Sequence, residues 1–337
     1  MARRVAIAVS CRDTDVIPKV DGAGEVFERD GQLLQRMHNG VLIVEGCYHG
    51  PWMTEVIRCL RGHHEPQEEL VFHRIMERIA RTEAQPTMVE LGSWWAYYSL
   101  WFAAAARDAA VVAVEPDPVY LDVGRQNFRL NGLDATFLAG AIGETPGEPV
   151  SFRSDRTSET MTVPCHDLRS LLETARVETV SMLLVDIQGA EATLLDRGRR
   201  ELESGRVRFL VLSTHHHRIS GSPVTHQDAR HLLRSLGAHI VAEHTVGESF
   251  SGDGLIAAAF HPEDRDLHVD VSRSRYCESL FGELEYDLAD SWERERRTYS
   301  TLSWKVTQPL RAARRLQATH LTSLRRLRTS DDDRDTS

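Results

Sequence analysis

The sequence contains no hydrophobic stretch long enough to cross a membrane, since no apolar run approaches the ~20 residues of a spanning helix. Arg3 and Arg4 precede only the short run VAIAV, which is too brief for a secretory leader. The five cysteines are scattered and form no C-x-x-C pair, which argues against a disulfide framework and a zinc cluster. These absences predict a cytoplasmic protein with reduced cysteines.

Positive charge is also scarce. The 337 residues include 50 acidic and 40 basic side chains, and the net charge of −10 does not favour a nucleic-acid partner. Basic residues nevertheless accumulate between Arg296 and Ser330, where no acidic residue occurs, and the acidic tail DDDRDTS follows. We predict a basic helical extension over residues 263–330 and a disordered tail over 331–337. The stretch from Trp304 to Arg328 could pack on protein, including a second copy of the chain, or could contact an anionic membrane surface.

From Thr87 onwards, compact apolar strands alternate with segments of helical spacing. This pattern predicts an α/β protein with a doubly wound, mostly parallel sheet and a C-terminal antiparallel strand pair, within a domain over residues 63–262. At the start of this domain, the segment HHEPQEELVFHRIMERIART is predicted to form a helix. Residues 1–62, including RVAIAV, are expected to form short strands and turns that could serve as a substrate lid.

The turn after the first of these strands lacks the second glycine of a dinucleotide-binding motif. The strand ends in Glu90-Leu91-Gly92-Ser93, and Trp94 and Ala96 follow where G-x-G-x-x-G would place small residues. A pyrophosphate therefore fits poorly, which leaves a nucleotide-dependent oxidoreductase as a weak alternative. A carboxylate at the strand end suits a cation instead.

The second strand ends in Glu115-Pro116-Asp117. An acidic residue about 20 positions after the glycine turn is where a ribose diol is bound, because a carboxylate accepts hydrogen bonds from both hydroxyls. A nucleoside that carries a cation and no pyrophosphate is S-adenosylmethionine. The sequence therefore predicts this cofactor, from Glu90 and Glu115 taken together.

Later strand ends carry the candidate reaction centre, which comprises Asp186, the triplet His215-His216-His217 and Asp253. The histidines are open to three interpretations: a general base or substrate-binding group, ligands of a divalent ion such as Mg²⁺, or solvated loop residues. If the strand continued, alternation would place His215 and His217 on one side and His216 on the other. We expect His215 or His217 to deprotonate the acceptor while Asp186 orients it or the cofactor.

Aromatic side chains follow the glycine turn directly. Trp94 and Trp95 could wall the adenosine or stack on a sugar ring, and Trp94 is our candidate for substrate binding together with His216 and Asp253. Helical spacing predicts that Tyr98 belongs to the core.

Taken together, these motifs resemble the FkbM-type S-adenosylmethionine-dependent methyltransferases over about residues 65–260. The motifs are EPQEE, VELGSWWAYYS, VEPDP, NFRLNG, AIG, VDIQGAE, STHHH and GDGLI. The resemblance implies a class I methyltransferase (Rossmann-like) fold with a seven-stranded sheet. It also implies O-methylation of a sugar hydroxyl in a cell-surface polysaccharide or a glycosylated natural product. The stretch STLSWKVTQPLRAARRL is similar to the ends of proteins that build cell-surface glycans, which favours a saccharide.

The resemblance also implies roles for individual residues. Glu90, Gly92 and Ser93 would line the methionine end of the cofactor, and Glu115 would hold the ribose. Asp186 would lie between the sulfonium and the acceptor. The remaining implied cofactor-binding positions are Ser99 on the first helix, Pro116 and Asp117 beside the adenine, and Ala141 near the adenine edge.

Two positions depart from the family pattern. Ala96 stands where glycine is common, and we expect it to have an ordinary helical backbone. Gln188 stands where glutamate is common, and its missing charge weakens the case for a bound metal ion. Both departures support one alternative function, a catalytically inactive cofactor-binding partner in a glycan-assembly complex.

Overall fold

The computed structural model describes residues 2–106, 108–154, 156–274, 291–292 and 294–307. The chain divides into two units, Met1–Leu280 and Phe281–Ser337. Within the described residues, no helix has the length and apolar character required to cross a bilayer. The second unit contains a short helix at Leu302–Val306. Of the predicted basic extension over residues 263–330, residues 275–290, 293 and 308–330 lie outside the described residues, and so does the acidic tail over 331–337.

The first unit is built from the following elements. Its strands are β1 (Val26–Arg29), β2 (Gln32–Arg36), β3 (Leu42–Val44), β4 (Thr87–Leu91), β5 (Ala110–Glu115), β6 (Thr136–Ala139), β7 (Ala141–Ile142), β8 (Pro149–Arg153), β9 (Thr160–His166), β10 (Val180–Val185), β11 (Val207–Thr214), β12 (His239–His244) and β13 (Gly254–Ala259). Its helices are α1 (Ala2–Ala8), α2 (Pro51–Cys59), α3 (Pro66–Thr82), α4 (Tyr97–Ala105), α5 (Pro118–Leu130), α6 (Leu168–Thr174), α7 (Glu191–Arg197), α8 (Arg199–Glu203), α9 (His217–Ser220) and α10 (Thr225–Ser235).

The central sheet has seven strands in the order β12-β13-β11-β10-β4-β5-β6. Strands β11, β10, β4, β5 and β6 are parallel, whereas β13 runs antiparallel to both β11 and β12. This confirms the predicted fold, a class I methyltransferase sheet with a C-terminal antiparallel pair. The chain crosses from one half of the sheet to the other between β4 and β10, so their carboxyl ends form the switch point at which such sheets bind ligands.

The two central strands β10 and β11 are buried along their whole length. Strands that are covered on both faces need a continuous apolar sequence rather than an alternating one, which explains why these runs were recognisable. One face packs against a core that includes Phe72 of α3 and Trp101 of α4, and the other against leucines of α6, α7 and α10.

The amino-terminal residues differ from their prediction of strands and turns at two points, since they contain helix α2 as well as helix α1. The RVAIAV segment forms helix α1 and not a strand, because the three-stranded sheet β1-β2-β3 is completed without it. A short apolar run cannot be assigned by periodicity alone, and its two alanines favour a helix. Met37, Ile43 and Val56 contribute to the same core as Phe72, so this extension and the sheet domain share one hydrophobic core.

Three elements between residues 149 and 174 were not predicted, namely β8, β9 and α6. Strands β7, β9 and β8 form a second small sheet, and Asp167 and Ser170 cap α6 reciprocally. These strands are exposed on alternate residues and carry few large apolar side chains, so their sequence signal is weak.

The NFRLNG motif on α5 has a structural explanation. Asn127 Oδ1 accepts the backbone N–H of Val44 at 3.0 Å, and its Nδ2 donates to the carbonyl of Trp95 at 3.0 Å. Asn131 bonds both the N–H and the C=O of Leu42, at 2.8 and 2.7 Å. Two amide side chains therefore take the place of a neighbouring strand along β3.

We predict that Asn127→Ala lowers the free energy of unfolding by about 2–4 kcal/mol, because it leaves a buried N–H and a buried C=O without partners. Urea denaturation measures the change. The matched control is Arg129→Ala on the same helix, whose side chain is exposed and should change stability by less than about 0.5 kcal/mol. Equal effects of the two substitutions would contradict the proposed role of the amide.

Candidate active site

The turn after β4 brings three strand ends together. Gly92 has a φ of 77°, and a Cβ at this position would lie 1.7 Å from the carbonyl oxygen of Asp186 at the end of β10. The N–H groups of Gly92 and Ser93 both donate to the carbonyl of Val114 on β5, at 2.9 and 3.0 Å. Only glycine satisfies both the left-handed conformation and this close approach.

The turn continues through two more left-handed residues, Trp94 with φ 42° and Ala96 with φ 57° and ψ 39°. The expectation of an ordinary helical backbone at Ala96 was therefore wrong. Ala96 precedes the first residue of α4, and its N–H turns back to the carbonyl of Ser93. The side chain costs about 1 kcal/mol in this conformation, which a glycine would avoid. Gly124 of α5 provides the space, since a Cβ there would lie 3.0 Å from that of Ala96.

Glu115 lies at the end of β5 with both carboxylate oxygens oriented by backbone groups. Oε2 accepts the N–H of Trp94 at 3.0 Å, and Oε1 accepts the N–H of Asp117 at 2.9 Å. Burial raises the pKa of Glu115 to about 7. A carboxylate has about four lone-pair positions, so each oxygen can still accept one ribose hydroxyl.

Two buried polar side chains, Ser93 and Glu90, border the glycine turn. Ser93 is buried, and its Oγ has no hydrogen-bond partner among the described residues. Glu90 accepts the N–H of Ser99 at 3.0 Å, and burial raises the pKa of its carboxyl to about 8. Groups of this kind require an explanation in a folded protein, and a polar ligand supplies one. The set Glu90, Gly92, Ser93 and Glu115 therefore fits the methionine and ribose ends of S-adenosylmethionine.

The other predicted cofactor residues, Pro116, Asp117 and Ala141, follow the next strands along the chain. The carboxylate of Asp117 caps α5 through the N–H of Val119 at 2.9 Å and accepts the hydroxyl of Ser154. Pro116 and Ala141 are half-buried at the end of β5 and at the start of β7. Their contacts with an adenine stay predictions.

The structure brings Asp186 and His215 together. His215 Nε2 lies 3.0 Å from Asp186 Oδ1, and its Nδ1 lies 2.7 Å from Glu191 Oε1. Burial opposes a charge on the imidazole, but hydrogen bonds to Asp186 and Glu191 prevail and raise the pKa of His215 to about 11. A protonated His215 is a fixed donor to two carboxylates, which is unfavourable for the general-base role expected from the sequence. Glu191 was not among the predicted site residues.

Asp253 and Gln188 complete this centre. Asp253 Oδ1 is 3.9 Å from His215 Nε2, and burial raises the pKa of Asp253 to about 7. Gln188 has a φ of 52°, and its Nε2 lies 2.9 Å from both Asp186 Oδ1 and His215 Nε2. The amide N–H of Gln188 thus donates to the same carboxylate, Asp186, that the imidazole binds.

His216 and His217 do not follow the predicted alternation. Strand β11 ends at Thr214, His216 precedes α9, and His217 is its first residue. Their ring centroids are 4.0 Å apart, so the two rings are neighbours and do not point to opposite sides of a strand. Their assigned roles in substrate binding and catalysis stay predictions.

A second array of the same composition lies at the start of α3. His64 Nε2 is 3.2 Å from Glu65 Oε2, and His64 Nδ1 is 2.7 Å from Glu69 Oε1. Burial opposes the charge, but Glu65 and Glu69 raise the pKa of His64 to about 10. The sequence offered one signal for these residues, since EPQEE was among the recognised motifs, but it gave no role to them.

One buried group has a composition that could suit a metal ion: His38, His63 and Glu69. The rings of His38 and His63 are stacked, with centroids 4.2 Å apart and planes 19° apart. The lone pairs of stacked imidazoles run nearly parallel and do not converge on one ion. His63 instead bonds Glu69, and His38 lies 3.0 Å from the hydroxyl of Tyr97, so we interpret the group as a buried hydrogen-bond network.

Comparison with known proteins agrees with this geometry. Residues 80–240 match the family model of the methyltransferase FkbM domain. This part of the chain is similar to the methyltransferase FkbM domain. The resemblance predicted from the motifs is confirmed, and the FkbM domain belongs to the S-adenosylmethionine-dependent methyltransferases.

Individual relatives are more distant. The release factor glutamine methyltransferase of Deinococcus radiodurans is 31% identical over 77 residues, which is 23% of this chain and 27% of that protein. The chain thus spans about a quarter of the length of this curated relative. Among solved structures, precorrin-6y C5,15-methyltransferase from Geobacter metallireducens has a TM-score of 0.35 at 15% identity, covering 57% of this chain and 88% of its own. TrmK of M. capricolum in complex with S-adenosylhomocysteine has a TM-score of 0.37 at 10% identity, covering 69% and 92%.

We predict that Gly92→Ala abolishes S-adenosylhomocysteine binding and destabilises the FkbM domain by more than about 3 kcal/mol, because the new Cβ collides with backbone. Gly132→Ala is the matched control. Gly132 also has a left-handed φ, 63°, but nothing lies within 4 Å of the position that a Cβ would take there. It should lose about 1 kcal/mol and keep its affinity in calorimetry. Similar losses of stability and affinity in both variants would show that the left-handed backbone conformation causes them, and that the close approach of Gly92 to Asp186 does not.

Proposed function

We propose that this protein transfers a methyl group from S-adenosylmethionine to a hydroxyl of a saccharide, in a cell-surface polysaccharide or a glycosylated natural product. The observation that carries the proposal is the joint position of two groups of residues. The cofactor turn at Gly92 is in backbone contact with Asp186, and Asp186 is bonded to His215. A cofactor on the turn and an acceptor at the carboxylates would therefore be adjacent.

The cofactor's sulfonium supplies an electrophilic methyl group when it is bound. Glu115 would hold the ribose hydroxyls, and Ser93 and Glu90 would hold the methionine end. The remaining task of the chain is to place the acceptor oxygen in line with that methyl group, since positioning is the main source of rate in such a transfer.

The acceptor hydroxyl must lose its proton during the transfer. Asp253 is best suited to receive it, because a pKa of about 7 is close to the working pH of a general base. His215 stays charged, donates from Nε2 to Asp186 and from Nδ1 to Glu191, and so fixes the direction of the Asp186 carboxylate. We therefore assign the base role expected of His215 to Asp253.

An inactive cofactor-binding partner is the alternative that Ala96 and Gln188 suggested. Ala96 adopts the left-handed turn conformation despite its side chain, and Gln188 bonds Asp186 and lies beside His215. Both residues fit an intact centre, so we favour the catalytic function.

We predict that Glu115→Gln weakens S-adenosylhomocysteine binding by about 10–100-fold, because the amide offers one acceptor oxygen where the carboxylate offers two. Isothermal calorimetry measures the change. Glu28→Gln on β1, an exposed position, should leave the affinity unchanged. If Glu115→Gln bound S-adenosylhomocysteine with wild-type affinity, the proposed contact between Glu115 and the ribose would be wrong.

Methyl transfer itself is tested by incubating the protein with tritiated S-adenosylmethionine and cell-surface glycan extracts. Label should appear in the carbohydrate fraction with wild type and not with Asp253→Asn. Cofactor binding without label in any carbohydrate would favour the inactive alternative.

The pH dependence should report Asp253. Above a pKa of about 7 the carboxylate is ionised and can accept a proton, so kcat/KM for the labelled glycan should rise through this range and then level off. It should fall again only near the pKa of His215, about 11. Asp253→Asn should lower the plateau by about 10²–10⁴-fold and remove the lower inflection. An inflection that survives in Asp253→Asn would assign the base elsewhere.

A further inference from the structure

The first turn of α3 is fastened over the reaction centre. Gln67 donates to the carbonyls of Glu248 and Ser272 at 3.1 and 2.6 Å, and accepts the N–H of Phe250 at 2.9 Å. Glu248 and Phe250 belong to the loop that leads to Asp253. Glu68 accepts the hydroxyl of Ser213, near the end of β11, at 3.1 Å. Two side chains therefore hold this turn against the segments that carry Asp253 and His215.

Glu65 begins the same turn but does not cap it. It occupies the capping position of α3, yet its side chain makes no capping hydrogen bond. The backbone N–H groups of His64 and Glu65 are bonded instead by Glu69, at 2.7 and 3.2 Å. Helix capping thus accounts for Glu69 and not for the carboxylate of Glu65, whose Oε2 accepts the hydroxyl of Tyr98 at 3.2 Å and lies 3.2 Å from His64 Nε2.

Glu65 is the exposed end of its array. Its side chain is 16% exposed, whereas those of His64 and Glu69 are 1% and 0% exposed. The reaction centre repeats this order, because Asp186 is 35% exposed in front of a fully buried His215 and Glu191. Each array thus presents one carboxylate, and an imidazole and a second carboxylate support it from behind.

The two arrays act on a common space. Burial is the main cause of the raised pKa of Asp253; the charge of His215 opposes it, and the carboxylates of Asp186 and Glu65 both add to the increase. The same two carboxylates raise the pKa of Tyr48. Glu65 therefore lies within electrostatic range of the groups to which the acceptor must bind.

Aromatic rings border this space. The ring of Tyr48 stacks on Trp95 with a centroid distance of 4.8 Å and meets His64 and Trp94 edge-on at 5.4 and 5.1 Å. The indole Nε1 of Trp94 is buried and has no hydrogen-bond partner among the described residues. Aromatic faces and a free donor next to carboxylates are suited to a ligand with apolar C–H faces and several hydroxyls.

We propose that Glu65 binds the acceptor directly, that His64 and Glu69 position it, and that the acceptor is an uncharged, polyhydroxylated saccharide. This inference rests on the proposed function and extends the site to residues outside the FkbM domain. Ionised carboxylates only accept hydrogen bonds, so hydroxyl groups are favoured. Acidic sugars are disfavoured, because their carboxylates would face the like charges of Glu65, Asp186 and Asp253.

Glu65→Gln tests the proposal, with Glu77→Gln as the matched control near the other end of α3. We would measure binding of neutral methyl glycosides and of the matching methyl uronosides by saturation-transfer NMR, with saturating S-adenosylhomocysteine. Neutral glycosides should bind wild type and Glu77→Gln equally, and Glu65→Gln about 5–50-fold more weakly. Uronosides should bind wild type at least about 10-fold more weakly than neutral glycosides, and Glu65→Gln should narrow that difference.

Three outcomes would overturn the inference: unchanged glycoside binding in Glu65→Gln, tighter binding of uronosides to wild type, or no glycoside binding to wild type loaded with S-adenosylhomocysteine. Glu65→Asp keeps the charge and should recover part of the affinity, which separates a binding role from a folding defect. Calorimetry of S-adenosylhomocysteine should give one affinity for all four proteins. If the wild-type protein did not bind S-adenosylhomocysteine, the proposed function would be rejected instead.

Discussion

The close approach of two backbones at Gly92 is the constraint on which the site depends. Because the end of β4 touches the carbonyl of Asp186 at the end of β10, the switch point of the sheet is narrow. The same turn is bonded to β5 twice, through the carbonyl of Val114 and through the carboxylate of Glu115, which accepts the N–H of Trp94. In the proposed function, a cofactor on this turn would have its charged end near Asp186 at the end of β10. Sheet geometry would then set the distance between the two reactants before either one binds.

Crowded carboxylates are the second organising feature, and buried imidazoles make the crowding tolerable. Glu90, Glu115 and Asp253 have raised pKa values because burial disfavours their charged forms. The pKa values of His64 and His215 are raised as well, despite burial, because each imidazole lies between two carboxylates, and this favours the charged form of the histidines. A cationic cofactor complements this surplus of negative charge, and a histidine that is permanently charged serves to orient its partners and not to exchange protons with substrate.

The sequence was informative where physical requirements are local. Continuous apolar runs indicated the central strands, and single acids after them indicated Glu90, Glu115 and Asp186 at one edge of the sheet. The backbone of Ala96 was predicted wrongly, because its left-handed conformation belongs to a tight turn closed by the Ser93 carbonyl, for which Gly124 of a later helix leaves the space. Glu65 and His64 were given no role, because their approach to the centre depends on Gln67 and Glu68 contacts about 145–183 residues away in the chain. Hydrophobic periodicity is a local property of the sequence and does not predict contacts between residues so far apart in the chain.

The amide side chains of Asn127 and Asn131 carry a consequence for how this enzyme class can diversify. They attach β3 to α5 through side chains and not through a backbone ladder, so the segment that supplies Tyr48 is fastened beside the large sheet without being part of it. Insertions or exchanges in that segment would leave the cofactor turn intact as long as the two asparagines keep these bonds. Acceptor choice and methyl-donor recognition are thereby separable, and one can drift in evolution while the other is conserved.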